Sequence, residues 1–202
     1  MQQQYGDVSV TLPGGFVAIC EIQRGPNNFF DQDLIKDLAD CFEDLDNNPE
    51  CRAIVLCSEG KHFCAGANFT SGARKDSVSS HGEGETNPLY GEAVRLFRCK
   101  TPVIAAVQGA AVGGGFGLAV MADFRVACSN TRMTANFVKL GFTPGFGLTH
   151  TLPRIIGVQK ANLLFMTGRR IDGQTAYDWG LADIFTDNDR VREVAIELAQ
   201  EI

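Results

Sequence analysis

The 202-residue sequence has few histidines, no excess of positive charge and no long apolar run. His62, His81 and His150 are its three histidines and none has HExxH spacing, so we expect no metal site. The formal net charge of −6 argues against nucleic acid as the principal partner, because nucleic-acid-binding surfaces are basic. No uncharged apolar segment approaches the roughly 18 residues that a membrane span needs.

The cysteine and N-terminal patterns argue against a secreted disulfide scaffold. Seven cysteines are scattered without a CxxC pair, and this odd number at irregular spacing favours reduced thiols. Residues 1–4 have neither the basic nor the apolar region of a secretory signal. We therefore expect a cytoplasmic protein with no membrane partner.

The composition is typical of one soluble globular domain. Hydrophobic residues make up 45% of the chain and charged residues 21%, and no Pro/Ser-rich linker divides it. Residues 8–12 and 16–22 are β-rich on either side of a Pro-Gly-Gly turn, which predicts a hairpin. Apolar residues at helical spacing predict a helix over 31–46, and the apolar run 53–57 predicts a buried parallel strand.

A second β-α-β unit is predicted after a segment without apolar periodicity. Residues 70–87 are rich in Ser, Gly and charge, which predicts a mobile loop beside a site. The further predicted elements are strands at 102–107 and 124–128 and helices at 91–99, 116–121, 148–156, 160–167 and 172–179. This alternation of strands and helices predicts an α/β fold.

Two turns rich in glycine and alanine, at residues 63–68 and 109–117, are the candidate sites of chemistry. A helix N-terminus leaves its first N–H groups without intrahelical partners, and small residues let a ligand oxygen approach them. Two such donors on one oxygen make an oxyanion hole, worth about 3–4 kcal/mol per donor in acyl-transfer enzymes. Close packing of a helix on a strand is the alternative explanation of either turn taken alone.

Several motifs occur in an order that resembles a known enzyme superfamily. They are residues 24–30, 62–68, 101–115, 122–123, 141–147, 167–171 and 180–183. Together they resemble the enoyl-CoA hydratase/isomerase (crotonase) superfamily over nearly the whole chain. The sequence departs from the first oxyanion segment of that superfamily at Asn68, where Asp is usual.

The resemblance implies an α/β, crotonase-like (ClpP/crotonase) spiral of β-β-α repeats with two roughly perpendicular sheets. It implies that the main-chain N–H groups of Ala67 and Gly114 bind the oxygen of an acyl-CoA or acyl-carrier thioester, with no cofactor. The substrate-binding residues that it implies are Asn28, Phe29, Ala65, Gly113, Phe116, Gly117 and Phe137. It also implies a homotrimer or a dimer of trimers, and because the sequence ends at Ile202 we expect the C-terminal trimerisation helices to be largely absent from this chain.

The sequence departs from the superfamily most clearly at the acid/base positions. Hydratases of the superfamily use two glutamates, but the matching positions here hold Gly117 and Phe137, so hydration by two glutamates is not expected. Residues 135–145 resemble instead the crotonase-like decarboxylases of polyketide assembly, in which loss of CO2 generates the enolate without a carboxylate base. A base from the predicted loop is the alternative, and its candidates are His81, Glu83, Glu85 and Glu92.

These observations leave three classes of function. The first is an acyl-CoA-processing lyase or isomerase that stabilises a thioester enolate, with a decarboxylase as its alternative reaction. The second is a catalytically silent acyl-CoA-binding or scaffold protein. A Rossmann-type dehydrogenase is the weakest, because Leu118 breaks the G-x-G-x-x-G pattern.

Overall fold

The chain begins with a β-hairpin, as predicted. The computed structural model describes residues 2–68 and 87–202. β1 (Gln4–Tyr5), β2 (Val8–Gly14) and β3 (Val17–Ile22) pair antiparallel in chain order. Phe16 was expected to open the last of these strands, but its φ of 61° places it in the turn, with the Arg52 guanidinium 4.1 Å above its ring.

The first helix, α1 (Gln32–Asp46), follows the predicted amphipathic pattern. The Asp31 side chain caps it, since one carboxylate oxygen accepts a hydrogen bond from the Leu34 N–H at 3.0 Å. The apolar positions that repeat at helical spacing are buried, namely Leu34, Ile35, Leu38, Phe42 and Leu45. One face of α1 therefore packs into the core.

A seven-stranded sheet forms the centre of the fold. Four parallel strands extend the hairpin, namely β4 (Ala53–Ser58), β5 (Val103–Val107), β7 (Phe124–Cys128) and β10 (Ile184–Thr186). A separate three-stranded sheet contains β6 (Ala110–Val112), β8 (Arg132–Thr134) and β9 (Arg170–Asp172). This arrangement is α/β with two sheets, as the sequence predicted.

Six further α-helices are described, together with one 3₁₀ helix. They are α2 (Pro88–Leu96), α3 (Gly114–Met121), α4 (Leu148–Ile156), α5 (Val158–Thr167), α6 (Gly173–Asp178), α7 (Val191–Glu201) and the 3₁₀ helix Asn136–Leu140. None of the helices in the described ranges is long and apolar enough to cross a bilayer.

Both faces of β4 are buried, which explains its unbroken apolar run. Ile54 and Leu56 pack in the same hydrophobic cluster as the buried face of α1. Val55 and Cys57 point the other way and pack in a second cluster with the buried face of α7. A strand covered on both faces needs apolar residues at every position rather than at alternate ones.

The structure corrects several predicted elements. α7 was not predicted, although Val191, Val194 and Ala195 follow helical spacing and are buried. α2 begins three residues before the predicted start because the Asn87 side chain caps it and Pro88 stands at its first turn. β6, β8, β9 and β10 were missed because strands of three residues carry too little alternation to recognise.

Candidate functional site

The two glycine-rich turns lie directly against each other. The Cys64 N–H donates to the Ala110 carbonyl at 2.9 Å, and the Val112 N–H donates to the Cys64 carbonyl at 3.0 Å. The segment after β4 thus runs beside β6 as an added strand, bridging Ala111. The turn that carries Ala67 is therefore held next to the turn that opens α3.

Glycine is required where these turns touch. A methyl group on Gly66 would lie 2.7 Å from the Val112 carbonyl oxygen, and Gly66 has a φ of 82°. A methyl group on Gly115 would lie 2.7 Å from the Cys64 sulfur. Close main-chain packing, the alternative explanation of these glycines, is thus part of the structure and brings the two candidate donor segments together.

Ala67 and Gly114 have uncommitted N–H groups within the described part of the chain, where neither N–H is bonded to a protein acceptor. Gly114 is the first residue of α3, and its N–H therefore belongs to the orphan donors at a helix N-terminus. Gly113 precedes it with a φ of 56°, and its own N–H donates to the Thr134 carbonyl at 2.9 Å. The partial positive charge of the α3 N-terminus adds to the field at this point.

Asn28, expected to contact the substrate, uses its side chain to hold its own loop. It is completely buried. Its amide nitrogen donates to the carbonyls of Glu59 at 2.9 Å and His62 at 2.7 Å, and its oxygen accepts from the Arg24 N–H at 3.0 Å. The Asn28 side chain therefore positions residues 24–30 beside the turn at residues 63–68, and its amide nitrogen has no donor left for a ligand. Phe29, in the same loop, is half-buried.

The loop reaches the turn through its main chain. The Ala65 N–H donates to the Asn27 carbonyl at 3.0 Å, and the Phe30 N–H donates to the Gly66 carbonyl at 3.1 Å. Arg24 is not a free cation, because it pairs with Asp7 and Asp31, each at 2.7 Å. These ion pairs anchor the loop to the hairpin and to the start of α1.

A cleft of about 680 Å³ opens beside Ala65. Its lining includes Lys61, Val112, Arg132 and Arg170, so its walls carry three positive side chains. His62 also lines it, but the ring nitrogen Nδ1 accepts from the Ala110 N–H at 3.2 Å. Burial and then the charge of Lys61 lower the pKa of His62, so this imidazole is neutral near pH 7.

Aromatic rings cover the start of α3. A methyl group on Gly114 would collide with the Phe30 ring, and one on Gly117 would lie 2.6 Å from the Phe146 Cβ. The Phe137 ring lies 3.9 Å from the Cβ position of Gly113. Phe30 and Phe146 themselves pack edge to face, with centroids 6.1 Å apart. We call Phe30, Phe137, Phe146 and Tyr90, whose position is given below, the aromatic wall.

Phe116 was expected to line the acyl pocket, but its side chain is completely buried in the main core cluster. Phe146 was missed by sequence reasoning, although it occupies the space that a side chain at Gly117 would need. The local sequence gives little indication of this role. Phe146 stands between two glycines in a turn, and its φ of 53° follows from the fold rather than from its residue type.

Tyr90 was also missed, because the predicted helix began one residue after it. Its hydroxyl oxygen lies against Gly145, where a methyl group would collide with it, and the Phe137 ring is 3.6 Å from the same point. The Asn87-Pro88 pair, a cap followed by a residue favoured in the first helical turn, is the signal that would have placed Tyr90 on α2.

Of the four candidate bases, the described part of the chain includes only Glu92. His81, Glu83 and Glu85, and the predicted loop 70–87 apart from Asn87, lie outside the described residues. Glu92 pairs with Arg95 at 2.6 Å, and Arg95 also binds Asp40 and Glu43. Cys64 is buried, which raises the pKa of its thiol to about 12 and leaves it protonated at neutral pH.

The fold and the paired turns define a crotonase-type protein, and residues 14–202 match the sequence profile "Enoyl-CoA hydratase/isomerase". The chain belongs to that family, and the predicted resemblance and fold class are confirmed. It is 33% identical over 173 residues to the "Probable enoyl-CoA hydratase" of Bacillus subtilis, an alignment that covers 84% of this chain and 65% of that protein.

Two further similarities bear on the choice of reaction. Over 197 residues the chain is 32% identical to the bacillaene synthase decarboxylase PksI of Bacillus subtilis, covering 96% of this chain and 76% of that protein. The crystal structure of an enoyl-CoA hydratase from Bacillus anthracis matches with a TM-score of 0.86 and 30% identity, over 96% of this chain and 76% of that one. The chain thus spans about two thirds to three quarters of the length of these relatives.

Proposed function

We propose that this protein converts an acyl thioester through an enolate whose oxygen is bound by the N–H groups of Ala67 and Gly114. Two features support this assignment. Both donors lie on turns that touch each other, and neither N–H is bonded to an acceptor in the described ranges. Main-chain donors fixed before the reaction stabilise the charge that develops on the oxygen without reorganising.

The reaction that the site supports best is decarboxylation of the thioester. The observation that carries this choice is the Phe146 side chain, which fills the space that a glutamate at Gly117 would need. Phe137 stands at the second glutamate position and its ring lies beside Gly113. The two positions that would activate water therefore present hydrocarbon instead.

A carboxylate against such a surface loses hydration that the rings cannot replace. As the bond between the α-carbon and the carboxylate breaks, its electron pair moves into the thioester, and CO2 leaves. The negative charge then lies on the thioester oxygen, where the two N–H groups bind it. The site thus favours the transition state over the bound carboxylate. The enolate finally takes a proton at carbon.

The carrier of the acyl group would be coenzyme A or an acyl-carrier protein, and no cofactor takes part in these steps. The cleft beside Ala65 supports a phosphorylated carrier, because Lys61, Arg132 and Arg170 line it. Assembly as a homotrimer or a dimer of trimers and a cytoplasmic location stay predictions.

Hydration of an enoyl thioester is the second candidate. It is favoured by the names of two of the similar proteins, which describe one as an enoyl-CoA hydratase and the other as a probable one. It needs an acid/base group outside the aromatic wall, and His81 is the candidate that the sequence offers.

The first prediction is that the purified chain releases CO2 from a thioester with a carboxylate beside the reacting carbon. Malonyl-CoA, methylmalonyl-CoA, glutaconyl-CoA and crotonyl-CoA are each incubated with the protein, and CO2 release and enoyl absorbance are followed. Hydration of crotonyl-CoA without CO2 release would establish the second candidate instead. Binding of all four without turnover would identify a silent thioester-binding protein and overturn both reactions.

A further inference from the structure

Tyr90 is the residue that the proposed reaction has not yet used. It lies in the first turn of α2, where the Asn87 side chain accepts from the Leu89 N–H at 2.9 Å and the Tyr90 N–H donates to the Asn87 carbonyl at 2.9 Å. These bonds fix the start of α2, which in turn directs the Tyr90 ring toward Gly145.

The Tyr90 hydroxyl is connected to the α3 N-terminus through Gly145 and the Phe137 ring. It packs on Gly145, and Phe137 contacts the same residue. The far end of the Phe137 ring lies beside Gly113, the residue directly before Gly114. Phe146, which follows Gly145 in the chain, packs on Gly117 of α3. The phenol oxygen therefore belongs to the same wall as the rings beside the second oxyanion donor.

The chemistry of this wall singles out Tyr90. Phe30, Phe137 and Phe146 carry no proton that can be transferred, whereas Tyr90 carries a hydroxyl. Within the described ranges this hydroxyl has no hydrogen-bond partner. Partial burial raises the pKa of Tyr90, so the group is protonated at neutral pH and can act as a donor. Tyr90 is also 43% exposed, so water has access to it.

We propose that the Tyr90 hydroxyl donates the proton that quenches the enolate. This inference rests on the proposed function. The enolate carbon forms a bond to the proton of the hydroxyl, and the O–H bond electrons stay on the phenol oxygen. The resulting phenolate regains a proton from water. The transfer is downhill because a thioester C–H is a much weaker acid than a phenol.

The test separates loss of CO2 from delivery of the proton. Methylmalonyl-CoA is converted in D2O, and the configuration of the deuterium at C2 of the propionyl-CoA product is determined together with the rate of CO2 release. The wild-type protein is expected to place deuterium on one face. Y90F is expected to give racemic label and a kcat reduced about 100-fold.

Two further variants sharpen the comparison. Y177F removes a hydroxyl from α6, where the Tyr177 ring packs at a tilt against Phe185, and is expected to behave as the wild type. Gly145→Ala keeps Tyr90 but places a methyl group where its hydroxyl lies, and is expected to scramble the label as Y90F does. Thermal unfolding of each variant, followed by circular dichroism, shows that it is folded.

The outcomes for Tyr90 and for the reaction can be told apart. If folded Y90F keeps both the wild-type rate and a single deuterium configuration, the role of Tyr90 is overturned while decarboxylation stands. If the wild-type protein releases no CO2, the proposed reaction and the role of Tyr90 fall together. A racemic label in folded Y90F, together with the slower release of CO2, supports the proposal most directly.

Discussion

At the scale of single residues, the site depends on glycines, which have no side chain. Gly66 and Gly115 let two main-chain segments touch, and Gly114 leaves room for the Phe30 ring. A side chain at any of these positions forces a neighbour to move, and the neighbour at Gly66 is main chain. The same glycines leave N–H groups accessible at the α3 N-terminus. Packing and chemistry therefore require the same small residues here.

The proposed oxyanion role of Gly114 predicts a specific effect of removing its N–H. Any Cβ at this position collides with Phe30, so the comparison is made in an F30A background. F30A/G114P is expected to lose about 10²- to 10³-fold in kcat relative to F30A/G114A, because only proline lacks the donor. Proline is tolerated in the first turn of a helix, so both variants are expected to fold. Equal turnover by the two would remove Gly114 from the oxyanion hole.

The packing of Phe146 predicts that a glutamate cannot simply be restored at Gly117. Gly117→Glu is expected to lower the free energy of unfolding by about 1–3 kcal/mol, through overpacking, without creating crotonyl-CoA hydration. Urea denaturation and enoyl absorbance measure the two effects.

Gly91→Glu is the control for this substitution, because Gly91 lies on α2 with open space around its Cβ position. It is expected to leave stability unchanged or raised. Adding Phe146→Gly to Gly117→Glu makes room and suits the positive φ at 146, so stability is expected to return in part. Wild-type stability of Gly117→Glu alone would contradict the packing argument.

At the scale of elements, the end of α1 is tied to the start of β5 by one carboxylate. Asp46 accepts hydrogen bonds from the Thr101 hydroxyl at 2.8 Å, the Thr101 N–H at 2.9 Å and the Lys100 N–H at 3.0 Å. A negative charge in the last turn of a helix is unfavourable to the helix dipole. These donors offset that effect and fix the connection from α2 into the sheet.

The Asp46 contacts predict a stability that depends on pH. Partial burial raises the pKa of Asp46, but the bonds from Thr101 and Lys100 outweigh it and the net pKa lies below its ordinary 3.8. The contribution is therefore present above that value and is lost as pH falls through the lower folded-state pKa. Asp46→Asn is expected to lose about 1 kcal/mol of unfolding free energy at pH 7, measured in urea.

The same measurement at pH 3 is expected to give a smaller difference from the wild type. Glu50→Gln serves as the control, since Glu50 is an exposed carboxylate. A difference for Asp46→Asn that does not shrink on acidification would show that the charge of Asp46 does not contribute.

Long helices and strands with a clear apolar pattern were predicted better than short ones. α1 has fifteen residues with a capping Asp31, and its bounds were found almost to the residue. β4 was recognised because both of its faces are buried. β9 has only three residues, and it forms a strand because it pairs with β8, not because its own sequence favours one. α7 was missed although its buried positions keep helical spacing.

At the scale of the whole molecule, the candidate site combines segments far apart in the chain. The loop held by Asn28, the turn at Ala67, the start of α3, the Phe137 helix and the ring of Tyr90 come from five separate stretches. The large sheet brings β4 and β5 together in parallel, and the turns that follow them meet at one edge. The site is thus a product of the sheet order.

The sequence by itself determined the α/β class and the family, and it located the two glycine-rich segments proposed to form the oxyanion hole, because these depend on local patterns of glycine and apolar residues in a fixed order. It also showed that both hydratase glutamates are absent. Only the tertiary structure decided what fills their places, since Phe146 meets Gly117 across 29 positions of the chain. It likewise decided that the Asn28 side chain is committed and that Tyr90 joins the wall, because contacts between distant segments follow from packing and leave no local pattern.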